Sequence, residues 1–264
     1  MKKPKIHFAH ANSFPARTYN RLFYYLADEF EIDYLERHGH NPRFPVSVGW
    51  QHLTDELREE IEKRYGGEPV VGVGHSLGGI LHFLAAVEKP ELYRAVVLLD
   101  APIVSRLSAA GLKFLRKTNL IEKLPLVRAA DSRRSHWKTK AEAFEHFRRK
   151  EKFNAFDETV LRDYVEHGTI AGEKGIELFF EPKIESQIYQ TIPHDFSRHR
   201  GKLRVPAAYI GGTRSREARL ARLGFMRRNF SFQFYFTAGS HLFPFEKPEE
   251  TARLIKIALA NLIH

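Results

Sequence analysis

The chain has 264 residues, 42 lysines and arginines against 32 aspartates and glutamates, a net charge of +10 and an isoelectric point near 9.7. That length can bury one full core, so a single domain is the default, and the absence of cysteine excludes a disulfide framework, a thiol nucleophile and a zinc–cysteine centre. The basic residues lie among nearly as many acids, with only short clusters such as Arg133-Arg134, Arg148-Arg149-Lys150 and Arg227-Arg228, which reads as a solvated surface and not as a nucleic-acid interface.

The N-terminus is basic, but His7, His10, Asn12 and Arg17 interrupt the segment behind it, so no signal peptide is expected. No stretch approaches the roughly 20 apolar residues of a membrane span. The expectation is a soluble, cytoplasmic protein. Lys5-Ile6-His7-Phe8-Ala9 predicts a strand that runs into His10-Ala11-Asn12-Ser13-Phe14-Pro15, ahead of a helix from about Ala16 to Glu29. A short strand ending in His and a small residue suits a loop that donates backbone N–H groups to an oxyanion, with the Asn12 N–H as the candidate donor. His10 is a candidate substrate contact, and the alternative is that it bonds the loop to itself.

Glu31 to Leu35 predicts the next strand, and Glu36-Arg37-His38-Gly39-His40-Asn41-Pro42 follows as a loop. His38 and His40 have no third ligand nearby, so no metal is assigned. Leu53 to Tyr65 reads as an amphipathic helix with Leu53, Leu57 and Ile61 at spacing four.

Pro69 to Gly79 reads Pro-Val-Val-Gly-Val-Gly-His-Ser-Leu-Gly-Gly. The apolar run Val70-Val71-Val73 predicts a buried strand, and Ile80 to Val87 predicts a helix, so Ser76 falls on a sharp turn between them. Side chains two residues before and after such a serine would collide, and Gly74 and Gly78 remove them. The turn exposes the Ser76 hydroxyl as a nucleophile and points the Leu77 N–H at a developing oxyanion. His75 is a second candidate for touching substrate.

Ala95-Val96-Val97-Leu98-Leu99-Asp100 predicts a strand buried on both faces, with Asp100 at its carboxyl end, the edge where parallel sheets bind ligands. From Ala101 to Lys202 the strand–helix alternation stops. This stretch is helix-like, basic and aromatic, with Trp137, Phe144, Phe147, Phe153, Phe156, Tyr164, Phe179, Phe180 and Tyr189, and is expected to fold as a helical lid whose aromatics serve mostly as core. Leu203 to Ile210 resumes the sheet, Phe232 to Phe236 is its last strand, and Pro248 to Leu262 closes the chain as a helix. His241, on a Gly-Ser turn after the last strand, is the general base. The orienting acid is Asp100, with Glu217, the first carboxylate after Ile210, as the alternative.

On these stretches the chain resembles the α/β-hydrolase superfamily, specifically its small capped esterase-like bacterial members. His10-Ala11-Asn12 matches the family's oxyanion loop and Glu36 to Asn41 its Asp-x-x-Gly-His-Gly loop. Gly74-His75-Ser76-Leu77-Gly78-Gly79 matches the elbow and Gly239-Ser240-His241 the histidine loop. The resemblance implies an α/β core at 1–100 and 203–264, with a mostly parallel doubly wound sheet of about six strands. A helical cap at 101–202 would be inserted before the last two strands. It implies Ser76 as nucleophile, His241 as base, and Leu77 and Asn12 as oxyanion donors. The usual aspartate after Ile210 is not evident, and the family's first two strands are missing. The reading is a serine hydrolase acting on a small ester-like substrate through an acyl-enzyme, without a cofactor. Thioesterase, amidase or acyltransferase chemistry on the same residues, or a catalytically weak binding protein on this scaffold, are the competing readings.

Overall fold

The computed structural model describes residues 3–104, 125–221 and 223–263. Strands β1 (Lys5–Ala9), β2 (Glu31–Tyr34), β3 (Val70–His75) and β4 (Tyr93–Leu99) precede an insertion. The insertion carries the short strands β5 (His136–Trp137), β6 (Thr169–Gly172) and β7 (Gly175–Leu178), and β8 (Ala207–Gly212) and β9 (Phe232–Thr237) come after it. The main sheet has six strands in the order β2-β1-β3-β4-β8-β9, and every pair is parallel. Its four inner strands are buried on both faces because helices cover both, which is why they read as continuous apolar runs.

Period-two alternation divides those strands between two cores. Ile6, Phe8, Val71, Val73, Val97, Leu99 and Ile210 face the helix α1 (Asn20–Leu26) and the C-terminal helix Pro248–Leu262. Val70, Val96, Leu98, Ala207 and Tyr209 face α2 (Gln51–Tyr65) and α3 (Leu77–Glu88). The direction of winding reverses between β1 and β3, so the loops after those two strands diverge and leave a crevice at the carboxyl edge. Asn12 and Ser76 follow those strands.

The insertion before the last two strands is mostly helical, with helices at Pro125–Asp131, Lys140–Arg148, Glu158–Gly168 and Pro182–Gln190, and its segment 105–124 lies outside the described residues. It also holds a small antiparallel sheet, β5-β7-β6, which the sequence reading did not resolve. That sheet is built on a hairpin turning at Gly172 to Gly175, where Gly175 has φ +128°. Trp137, Phe147, Phe153, Phe156 and Tyr164 join the same apolar cluster as Phe8, Phe14 and Tyr19, so these aromatics are core, as expected.

Besides His38 in the loop after β2, four histidines in or beside the sheet are fully buried. His7 and His82 pack edge-on at 5.5 Å between the sheet and its helices, while His10 follows β1 and His75 ends β3. Burial holds all four below the usual imidazole pKa, His75 and His82 at about 3, with neighbouring histidines as the next cause. A folded-state pKa that is depressed stabilises the fold above the unfolded value and loses that stabilisation as pH falls below it. His75 and His82 together remove about 3 kcal/mol between pH 7.5 and 5.5, with His7 and His10 acting in the same direction, partly offset by His241, whose pKa is raised. Urea unfolding at the two pH values should show this steep drop, and a change under ~1 kcal/mol would mean that the four rings accept protons inside the fold.

Candidate active site

Ser76 sits between β3 and α3 with φ 52° and ψ −111°, a conformation that a side chain tolerates only where its surroundings dictate it. The surroundings leave no room for anything larger than glycine on either side. A Cβ on Gly74 would lie 2.3 Å from the Gly78 carbonyl carbon, and one on Gly78 would lie 2.0 Å from the Ala9 oxygen. Ser76 N–H donates to Leu99 O at 2.9 Å and Gly78 N–H to His10 O at 3.1 Å, tying the turn to β4 and to the loop after β1.

Asp100 ends β4 with φ 42° and is fully buried. A buried carboxylate stays ionised only if donors replace its water. Asp100 accepts from His241 Nδ1 at 2.6 Å, Ser215 Oγ at 2.5 Å, and the Tyr209 hydroxyl and Gly212 N–H at 3.2 Å each. Sequence reasoning missed Tyr209, Gly212 and Ser215. The signal was present, since Ser215 lies in the loop after β8 where an acid was sought, and that loop supplies donors to an acid from the neighbouring strand. Glu217 stands outside this set: its side chain is 45% exposed and its Oε2 lies 3.9 Å from His241 Nδ1.

His241 follows β9 and presents Nε2 to Ser76 Oγ at 3.0 Å. Its loop is held by Ser240 N–H on Glu246 at 3.0 Å and by Arg214 N–H on Gly239 O at 2.9 Å. Burial works to lower the His241 pKa, but the hydrogen bond and charge of Asp100, with Glu217 adding, outweigh it and raise the pKa.

His10 and His75 are not brought to the cavity, contrary to the expectation of substrate contact. Each is fully buried behind the site because neighbouring groups take both of its ring nitrogens. His10 Nδ1 bonds Ala11 O at 2.8 Å while Nε2 accepts from His38 N–H at 2.8 Å. His75 Nε2 bonds the His241 carbonyl at 2.9 Å and Nδ1 meets the Tyr19 hydroxyl at 2.7 Å, which in turn accepts from Ala11 N–H at 3.1 Å. The two rings brace the loops that carry Asn12 and His241.

Asn12 and Leu77 line the cavity beside Ser76. Leu77 opens α3, where backbone N–H groups have no intrahelical acceptor, and among the described residues the Asn12 N–H has no protein acceptor. The Asn12 side-chain amide donates to Glu185 O at 3.0 Å, fixing the loop to the insertion. The cavity measures about 310 Å³ and is walled by Trp50, Ile80, Val104, Ile188, Ile192 and Phe196, with Tyr189 as the phenol-bearing exception. Asp100, Glu217 and His241 also offer ligand atoms within 4.8 Å of one another, but Asp100 and His241 already serve the hydrogen-bond set above and Glu217 accepts from Ser215 Oγ at 3.4 Å. Such an arrangement can deprotonate a hydroxyl, hold a carbonyl beside it and present two N–H groups to the oxygen.

The sequence matches the model of the alpha/beta hydrolase family over residues 8–254. Among solved structures it is similar to E-2-(acetamidomethylene)succinate hydrolase, at 19% identity, covering 98% of this chain and 93% of that one with a TM-score of 0.75. It is similar to the thioesterase domain from the curacin biosynthetic pathway, at 15% identity, 96% and 91% coverage and a TM-score of 0.73. A thermophilic esterase from Thermogutta terrifontis gives 17%, 100% and 92%, and 0.71. At these identities the structural likeness establishes the fold.

The geometry ranks the two acids. Asp100→Asn should lower kcat/KM by about a thousandfold or more and move its acid limb to lower pH, because the charge that raises His241 is gone. Glu217→Gln should cost less than about tenfold. In the unsubstituted protein kcat/KM should climb with pH through a value above 6.5, since only the neutral imidazole of His241 can accept the Ser76 proton across their 3.0 Å contact. A larger loss in Glu217→Gln than in Asp100→Asn would reverse the ranking.

Proposed function

Since the chain belongs to the alpha/beta hydrolase family, we propose that it is a serine hydrolase that cleaves carboxylic ester bonds through an acyl-enzyme, with residues 101–202 as the cap over its site. The observation that carries this reading is the unbroken hydrogen-bond chain from Ser76 Oγ through His241 to Asp100, at 3.0 and 2.6 Å. His241 Nε2 takes the Ser76 proton as the oxygen attacks the ester carbonyl, and Asp100 steadies the imidazolium that forms. The N–H groups of Leu77 and Asn12 receive the negative oxygen. The tetrahedral adduct collapses, His241 passes its proton to the leaving alcohol, and water repeats the cycle to release the acid and regenerate Ser76.

A serine at the elbow, in place of an aspartate, supports acyl transfer over epoxide or haloalkane chemistry. The apolar walls suit an apolar acyl or alcohol group, and about 310 Å³ is at the small end for a ligand pocket. The idea of a catalytically weak binding protein drew its support from the missing acid, and the 2.6 Å bond between Asp100 and His241 weakens that support.

A p-nitrophenyl ester series from short to long acyl chains, run on wild type and Ser76→Ala together, tests this. Wild type should turn over with an optimum at short chains, and Ser76→Ala should lose at least about a thousandfold. Equal rates in both proteins would sink the nucleophile assignment.

A further inference from the structure

A second cavity of about 530 Å³ lies in the insertion and shares the Tyr189 side of the wall with the pocket at Ser76. Its described lining includes Arg133, Arg134, His146, Lys150 and Lys152 against a single carboxylate, Glu185. That carboxylate is already committed. Glu185 is buried and meets Arg133 Nη1 at 2.5 Å, while Arg133 Nη2 reaches the Tyr164 hydroxyl at 3.2 Å. Arg134 is drawn aside by Glu142 at 2.5 Å. Among the described residues no carboxylate lies within ion-pair distance of Lys150 or Lys152.

The positive field is felt by the groups inside it. Lys152 is exposed as a whole residue, but its ammonium lies 5.1 Å from the Phe153 ring and 5.7 Å from Phe14. Burial, and then the charge of Arg133, lower its pKa to about 8. His146 is lowered as well, by burial and then by Lys150. A concave surface that keeps two cationic side chains, Lys150 and Lys152, once Arg133 is set against Glu185 and Arg134 against Glu142, favours an anion. The same Glu185 that faces Arg133 accepts the Asn12 amide through its backbone oxygen, so the cationic cavity and the oxyanion loop share one residue.

We propose that this second cavity receives an acidic arm, phosphate or carboxylate, of the substrate whose acyl carbonyl sits at Ser76, with Lys150 and Lys152 as its charge contacts. The inference rests on the hydrolase reading above and names the class of ester it acts on. Arg133 is the wrong residue to test, because removing it leaves Glu185 buried and unpaired.

The test compares the butyrate esters of glycerol, glycerate and glycerol 3-phosphate, which share a three-carbon alcohol and differ in carrying a hydroxyl, a carboxylate or a phosphate at one end, on wild type and on Lys150→Ala/Lys152→Ala. At least one acidic ester should exceed the neutral one in kcat/KM by about tenfold in low salt, and which one does identifies the anion. The acidic-to-neutral ratio should fall to about one in the double variant. A ratio of one in wild type, or an advantage that survives in the double variant, overturns the proposal. Calorimetric titration of both proteins with pyrophosphate and with succinate separates the two readings. If no ester is cleaved but either anion binds wild type and not the double variant, the hydrolase reading fails and the cavity assignment stands. If all esters are cleaved alike and neither anion binds, the assignment fails and the hydrolase reading stands.

Discussion

A single buried carboxylate sets the terms for this structure. Asp100 has no contact with solvent, and an isolated charge in that position would cost several kcal/mol. Four donors from β8, the loop after it and the loop after β9 remove that cost, and by converging on one group they fix three chain segments relative to each other. His241 is one of those donors. Its ring orientation toward Ser76 therefore follows from satisfying Asp100, and a residue carried on a loop is held by a 2.6 Å bond to a buried carboxylate.

A second set of buried bonds works from the opposite side. Ala11 N–H, the Tyr19 hydroxyl, His75 and the His241 carbonyl form one connected line, and burial keeps His75 neutral, with a pKa of about 3, so that it donates at Nε2 and accepts at Nδ1. The loop carrying Asn12 and the loop carrying His241 thus share a rigid polar spacer. In the proposed mechanism the oxyanion donor and the base must hold their separation while charge moves between them, and fixed dipoles that need not reorganise serve this better than water.

How much of this the sequence disclosed depended on whether a role is local or assembled. The Ser76 turn was legible because its sequence signal lies within five residues, although only Gly74 faces that turn's own backbone, at Gly78, while Gly78 is small because it faces the backbone of Ala9. The six-stranded sheet was legible because four strands are buried on both faces and announce themselves as apolar runs. Asp100 was read only as one of two acids, since the choice rests on Tyr209, Gly212 and Ser215, which lie more than a hundred residues away. His10 and His75 misled for the same reason, as their partners, His38, Tyr19 and the His241 carbonyl, are assembled by the fold. The β6–β7 hairpin was missed inside a stretch whose overall composition is helical.

The insertion divides its own chemistry along Tyr189. On one side the wall is apolar and encloses Ser76, while on the other lie Lys150 and Lys152 with no acid among the described residues at ion-pair distance. Arg133 and Glu185 sit at the boundary, buried together, where their charges cancel and their geometry holds Asn12. A buried pair of this kind adds little stability over an apolar pair of the same shape. Its effect is positional: it lets a cationic cavity stand beside an oxyanion loop without a bare charge disturbing the base. The basic excess of the chain, diffuse when read along the sequence, is gathered here in a cavity that shares Tyr189 with the pocket of the proposed nucleophile.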